Sequence, residues 1–240
     1  MALAYVASSA DARVSGVNTS TGSRTYANAA CLSVVTALIV NTGGSTVTIS
    51  DASGTYSSSA NTAPDANSQA WIKYFPNHNS GAHTITVDPA GSSADVEFWM
   101  TEVTGAATSS VLDADSGQAT GAISSGVGGT MTFTTASALD QAANFVVAVG
   151  THTASDKTLT TGTIGGSAAT FIAENESNSG GQCGHLEYRI IASASALTST
   201  VTYGSEVGNG TWGIAVAIFK EAAAGGGVKN PSTLTLTGVQ

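Results

Sequence analysis

Charge is the first thing this sequence is short of. Charged residues fill 10 % of its 240 positions, against about 25 % in an ordinary soluble domain. Cations are scarcer still: Arg13, Arg24, Lys73, Lys157, Arg189, Lys220 and Lys229 stand singly along a chain of formal charge −9 and pI about 4.6. No basic stripe exists to neutralise phosphates, so neither nucleic acid nor an anionic membrane surface is an expected partner. No apolar run approaches the ~20 residues that span a bilayer. The opening "MALAYVASSADARV" lacks the positive and apolar regions of a secretion signal, so assembly in the cytoplasm is expected. The two cysteines, Cys31 and Cys183, fit a reducing compartment. They are expected to be buried small apolar groups, with a single disulfide left open. Also missing are G-x-S-x-G, a phosphate loop and H-E-x-x-H. No catalytic residue and no cofactor is therefore expected, and the protein is not expected to be an enzyme.

What is present is β-pattern. Apolar residues recur at every second position between Gly, Asn, Asp and Ser, and helix signals are nearly absent. A mean hydropathy of +0.15 excludes a disordered chain. In "ADVEFWMTEV", Val96, Phe98 and Met100 share one face while Glu97, Trp99 and Thr101 share the other. In "WGIAVAIF", Trp212, Ile214, Val216 and Ile218 share a face, and Gly213, Ala215 and Ala217 make a small-residue face suited to lie against another surface.

The chain is also doubled. "CLSVVTALIV", "STVTISDASGTY", "AWIKYFP", "AHTITVDPAG" and "ADVEFWMTEVTG" are followed by "NFVVAVGTH", "KTLTTGTIGGSAATF", "GHLEYRIIAS", "LTSTVTYGSE" and "GTWGIAVAIFKEA" in the same order. The shift is about 115 residues, with Lys73-Tyr74 answering Glu187-Tyr188. The lead-in "ARVSGVNTS" is matched to "GGTMTFTTA". The expected fold is an all-β, antiparallel two-sheet sandwich, jelly-roll-like, built from two similar halves at about 12–105 and 129–222. The halves form either one continuous sandwich, the preferred arrangement, or two side by side.

Candidate chemistry is thin. Asp113 and Asp115 in "LDADSGQ" resemble the start of a calcium loop, but its twelfth position is Ser124, so an acidic surface turn is expected. His78 and His83 bracket the turn "HNSGAH"; with a carboxylate they would suit a metal, yet the sequence fixes no third ligand. They are taken as turn or strand-edge histidines, like His152 and His185, and no metal is expected. Glu97 with Glu102, or Glu174 with Glu176, would need a cleft to act as an acid/base pair, and "ENESNSGGQ" reads as a loop. Trp99 and Trp71, with Tyr74 and Tyr188, are possible contacts for a surface glycan or a protein partner; alternatively Trp99 packs against a second sheet.

The end of the chain, residues 223–240, reads as a glycine-hinged arm. Burying Leu234, Leu236 and Val239 would contribute about 5–8 kcal/mol, while ordering the segment around Pro231 costs about 12–20 kcal/mol. A strand added to a sheet edge resolves that deficit, either on the protein's own edge or on a neighbour's. The N-terminal "ALAYVASSA" is a candidate second arm.

"TVTISDASGTY…AWIKYFP…GAHTITVDPAGSSADVEFWMTEVTG", with "GIAVAIFKEA" at the end of the second half, resembles a β-sandwich module of phage virion proteins, over roughly residues 29–222. The resemblance implies a structural or surface-binding role on a virus particle and supplies no catalytic residue. The expectation is a capsid decoration or cement protein, assembled in the host cytoplasm. Its expected partners are copies of itself, major coat protein subunits, or both. The alternative is a carbohydrate- or receptor-binding module of a tail fibre.

Overall fold

The computed structural model describes residues 2–17, 19–40, 46–65, 68–90, 94–153, 159–177, 182–204 and 208–223. The first half contributes β1 (Ala4–Val17), β2 (Ser20–Tyr26), β3 (Cys31–Val40), β4 (Val47–Asp51), β5 (Gly54–Thr55), β6 (Ser57–Asp65), β7 (Ser68–His78), β8 (Gly81–Pro89) and β9 (Ala94–Thr104). The second contributes β10 (Gly117–Ile123), β11 (Gly129–Thr134), β12 (Ala143–His152), β13 (Leu159–Thr160), β14 (Thr163–Ile164), β15 (Ser167–Ala168), β16 (Thr170–Ser177), β17 (Gln182–Ala192), β18 (Thr198–Tyr203) and β19 (Gly210–Lys220). Every ladder among the described residues is antiparallel.

The duplication is visible in the wiring. One sheet of the first half runs β1-β9-β3-β7-β6, and its counterpart runs β10-β19-β12-β17-β16. The other pair runs β2-β8-β4-β5 and β11-β18-β14-β15, with β13 also on β18. Each half is thus a two-sheet sandwich with one strand order, used twice. The lead-in strands match differently from the expectation: "GGTMTFTTA" forms β11, whose counterpart is β2, and the stretch containing Arg13 belongs to β1, whose counterpart is β10. The doubling therefore begins at β1 and β10, earlier than residues 12 and 129.

The layers follow from the sequence pattern. "CLSVVTALIV" and "NFVVAVGTH" are apolar at consecutive positions because β3 and β12 are buried on both faces. The outer strand β8 alternates, with Ile85 and Val87 buried beneath more exposed Thr84 and Thr86. Three cores result. Val35, Ile49, Ile85, Phe98 and Met100 fill the first sandwich. Met131, Val146, Ile164, Val201 and Ile218 fill the second. Between the two inner sheets lies a third, joining Leu38, Ile72 and Trp99 to Phe145, Leu186, Ala217 and Phe219.

The protein is therefore four layers deep. No ladder among the described strands joins the halves, so their strands are not interleaved, yet an apolar core runs across the join. The small-residue face of β19 lies in this central core. A Cβ at Gly184 on β17 would overlap Leu38 Cδ1 of the other half, so glycine is what admits that leucine. The tyrosines of the repeated charge–Tyr pair mark the same join. Tyr74 meets Phe219 edge-on at 5.3 Å, and Tyr188 stacks on Tyr5 at 4.4 Å.

The N-terminal segment is not an arm reaching outward. It is β1, laddered to β9 from Ala4↔Thr104 to Val17↔Ala94, and the Leu3 N–H donates to Glu221 Oε1 at 3.2 Å. The proposed C-terminal arm, with Pro231, Leu234, Leu236 and Val239, lies outside the described residues.

Candidate functional site

The densest polar chemistry lies at one end of the first sandwich, where three chain turns converge. β4 closes on β5 through a tight turn between Asp51 and Gly54. β7 ends at His78, and β8 begins at Gly81 after a reversal in which Asn77 and Gly81 both have positive φ. Glycine suits the second of these because an L side chain at φ 113° is strained. β2 ends at Tyr26 on the same side. These ends bring together Asp51, His78 and His83, whose donor atoms all lie within 4.8 Å of one another.

Asp51 and His78 are held by hydrogen bonds. Asp51 Oδ1 accepts the Ser53 N–H at 2.7 Å, and Oδ2 accepts the Tyr56 hydroxyl at 3.2 Å. His78, fully buried, has Nδ1 2.8 Å from Asn79 O, an acceptor, so Nδ1 carries a proton. This leaves Nε2 facing Asp51 Oδ2 at 2.6 Å. His83 Nδ1 lies 3.4 Å from the same oxygen and has no hydrogen-bond partner among the described residues. Burial pushes the Asp51 carboxyl upward, but the His78 hydrogen bond, the Ser53 N–H, the His78 charge and the Tyr56 hydroxyl outweigh it, and the net position is below the usual carboxylate range. Behind the cluster Ser33 Oγ links Tyr26 Oη at 2.5 Å and Tyr56 Oη at 2.8 Å. Burial raises both phenols. A cavity of about 150 Å³, lined by Ser23, Arg24, Thr25, Ala82, His83 and Thr84, opens on His83.

Beside it, Glu102 accepts N–H groups from Ala27 at 3.0 Å and Asn28 at 2.9 Å, the Asn28 side-chain amide at 2.9 Å, and lies 3.5 Å from Arg24. Burial raises its carboxyl; those donors and the arginine charge prevail and hold it low. Glu102 is thus an organiser of the β2–β3 turn. Glu97 lies five residues earlier on β9, half-buried, and the odd spacing puts it on the opposite face of the strand from Glu102. Glu174 and Glu176 belong to strand β16 and not to a loop.

The second sandwich has a different polar centre. His185 Nε2 is 3.4 Å from Glu187 Oε2, both buried, and that oxygen accepts the Gly162 N–H at 2.9 Å. Arg189 Nη1 donates to Ile164 O at 2.6 Å. Next to it is a cavity of about 360 Å³ lined by Gly165, Gly166, Arg189, Ile191, Ser195 and Leu197, among others.

Other residues singled out from sequence fall elsewhere. Trp99 is 2 % exposed, in the core between the halves, and offers no platform to a glycan. Both faces of its sheet are covered, which strand alternation alone does not reveal. Trp71 is half-buried, its Nε1 donating to Gln69 Oε1 at 2.9 Å with Lys73 Nζ 5.4 Å from the ring centroid. Asp113 is buried, not a surface residue: it accepts the N–H groups of Asp115 at 3.0 Å and Asp140 at 2.9 Å. Asp115 accepts the N–H and hydroxyl of Ser137. Cys31 and Cys183 are buried reduced thiols in the cores of different sandwiches. Asp51 is the residue that sequence reasoning missed. It precedes His78 by 27 positions and reaches it only because β4 and β7 lie in facing sheets. Comparison with family models, with curated proteins and with solved structures finds no match to this chain in any of the three.

Proposed function

We propose that the chain is a structural protein of a phage particle, a capsid decoration or cement protein that binds neighbouring coat subunits or further copies of itself. The observation that carries this reading is β1. This strand of 14 residues is terminal in its sheet and ladders on one side only, to β9, among the described strands. Its free side is a template for an added strand. Register shifts at Tyr5/Ala7, Asp11/Val14 and Val14/Val17 break that template into segments. A partner must match the interruptions, which favours a cognate strand over indiscriminate pairing. The uncharged, Thr-rich outer strands and the resemblance to virion modules point the same way. The segment containing Pro231, Leu234, Leu236 and Val239 is the one we propose is lent to a neighbour as an added strand.

The test is reconstitution on particles. Particles without the protein should lose heat and osmotic resistance, and full-length protein should restore it. Protein lacking Gly225–Gln240 should remain folded but be incorporated poorly. Equal resistance of particles with and without the protein would overturn the reading.

One observation favours a second reading, a glycan- or receptor-binding module. The cavity at Gly165–Gly166 carries an arginine and serines beside apolar Ile191 and Leu197. Saturable binding on a glycan array, lost with Arg189→Ala, would support it.

A further inference from the structure

We propose that Asp51, His78 and His83 form a binding site for a divalent first-row transition ion of the Zn²⁺ class, which ties the two sheets of the first sandwich together. The inference does not depend on the particle reading.

The donor set argues for this class of ion. Two imidazole nitrogens and one carboxylate oxygen suit zinc and its neighbours; calcium and magnesium prefer oxygen alone. The spacing is close to what is needed. Around a tetrahedral ion with bonds of about 2.0–2.1 Å, donor atoms sit about 3.3 Å apart. His83 Nδ1 and Asp51 Oδ2 already stand at 3.4 Å. His78 Nε2 and the same oxygen, at 2.6 Å, would have to part by about 0.7 Å, within the reach of a carboxylate that can turn.

The supporting groups are in place. A ligating histidine ordinarily donates its other N–H to a carbonyl or carboxylate, which fixes the lone pair toward the ion. His78 does this through Nδ1 to Asn79 O. Asp51 is oriented by Ser53 and Tyr56. His83 supplies the sharpest sign: a buried ring nitrogen with no hydrogen bond among the described residues, aimed at the shared oxygen. Desolvating such an atom is unfavourable unless something occupies its lone pair. A cavity of about 150 Å³ that His83 helps to line lies beside the three residues. His78 lies on the inner sheet, Asp51 and His83 on the outer one, so one ion would tie β7 to β4 and β8.

The experiment uses untagged full-length protein stripped with a chelator and desalted. Zn²⁺ is titrated by calorimetry, and Co²⁺ by its visible absorption, which reports coordination geometry. One ion per chain is expected. At a hundredfold excess over Kd, Zn²⁺ should raise Tm by about 5–10 °C. His83→Ala loses the ring contacts with Tyr26 and His78 and should melt somewhat below the metal-free parent; Zn²⁺ should no longer raise its Tm, and binding should weaken more than about a hundredfold. Asp51→Asn, which preserves shape, should also lose the Zn²⁺-dependent rise, and decides the matter if His83→Ala does not fold. His185→Ala should bind as the parent does. Absence of saturable binding, or binding and stabilisation that survive both His83→Ala and Asp51→Asn, would overturn the proposal.

Discussion

The two sandwiches share one strand order but fill the same corner in opposite ways. In the first, the turn after β4 carries Asp51, and the β7–β8 reversal carries His78 and, just beyond it, His83. In the second, the corresponding turn after β14 carries buried Ile164 followed by Gly165 and Gly166, and β17 ends in Ile191 and Ala192 beside an open cavity. The second half places an acid–histidine pair earlier on β17, at His185 and Glu187. The backbone therefore does not require chemistry at this corner. A repeat supplies its own control: where one copy keeps a buried, hydrogen-bonded acid–histidine cluster at this corner and the other copy leaves the corner to apolar residues and glycine, the cluster is an addition to the fold and not a condition of it.

The largest test of the comparison asks whether either half exists alone. An isolated first half would expose Leu32, Val34, Leu38, Ile72 and Trp99, all now covered by the other inner sheet. Residues 1–110 are expected to give no cooperative melt by circular dichroism and to bind hydrophobic dyes. A sharp transition in that fragment would mean the halves are independent and their shared core incidental. At single-residue scale, Trp99→Ala should destabilise the whole chain by about 3–5 kcal/mol in urea unfolding. Gly184→Val, which forces Leu38 out of its place, should cost about 1–3 kcal/mol or more. If the halves are coupled, each of these should shift one common transition, not split it.

Next in size is the contrast between the buried acids. Glu102→Ala leaves the Ala27 and Asn28 N–H groups and Arg24 without their acceptor, at about 3–5 kcal/mol. Glu102 is held below the usual range, so its contribution is complete above about pH 4.3, its unfolded value. That contribution is lost as pH falls through the lower folded value. Stability of the parent should decline on that acid limb, and Glu102→Gln should flatten the decline. An unchanged limb in the variant would assign acid sensitivity to another carboxylate.

Much of this architecture was readable beforehand, and what was not has identifiable causes. The face assignments of β8, β9 and β19 follow from a period of two, and the doubling from the order of strands. Alternation, however, names which residues share a face and is silent on whether that face is covered. Trp99 was open on exactly this point, and only the facing second sandwich settles it. The clue lay in β3 and β12, whose consecutive apolar residues call for cover on both sides. Asp51 was invisible because its neighbours are set by sheet stacking. His78 and His83, five positions apart, were visible because a reversal joins them. The N-terminal strand was misjudged because nothing local distinguishes an edge strand in its own sheet from one lent to another.

The smallest expected effect separates two aspartates that look alike in sequence. Asp113 precedes the second half and lies in a stretch resembling a calcium loop; Asp51 belongs to no motif. Both Asp113 oxygens accept backbone N–H groups, Oδ1 from Asp115 and Oδ2 from Asp140, with no imidazole beside them as there is at Asp51. Its neighbour Asp115 is engaged by Ser137. A cation there would have to displace backbone donors that tie the inter-half linker to the loop before β12, and it would gain no Glu at the twelfth position. Asp113→Asn should therefore cost only about 1 kcal/mol, since an amide oxygen still accepts one of the two bonds. Millimolar Ca²⁺ should leave Tm of both proteins unchanged. A rise with Ca²⁺ in the parent that is absent from Asp113→Asn would move the cation chemistry from the histidine corner of the first half to the linker, and the contrast between the two halves would have to be redrawn around it.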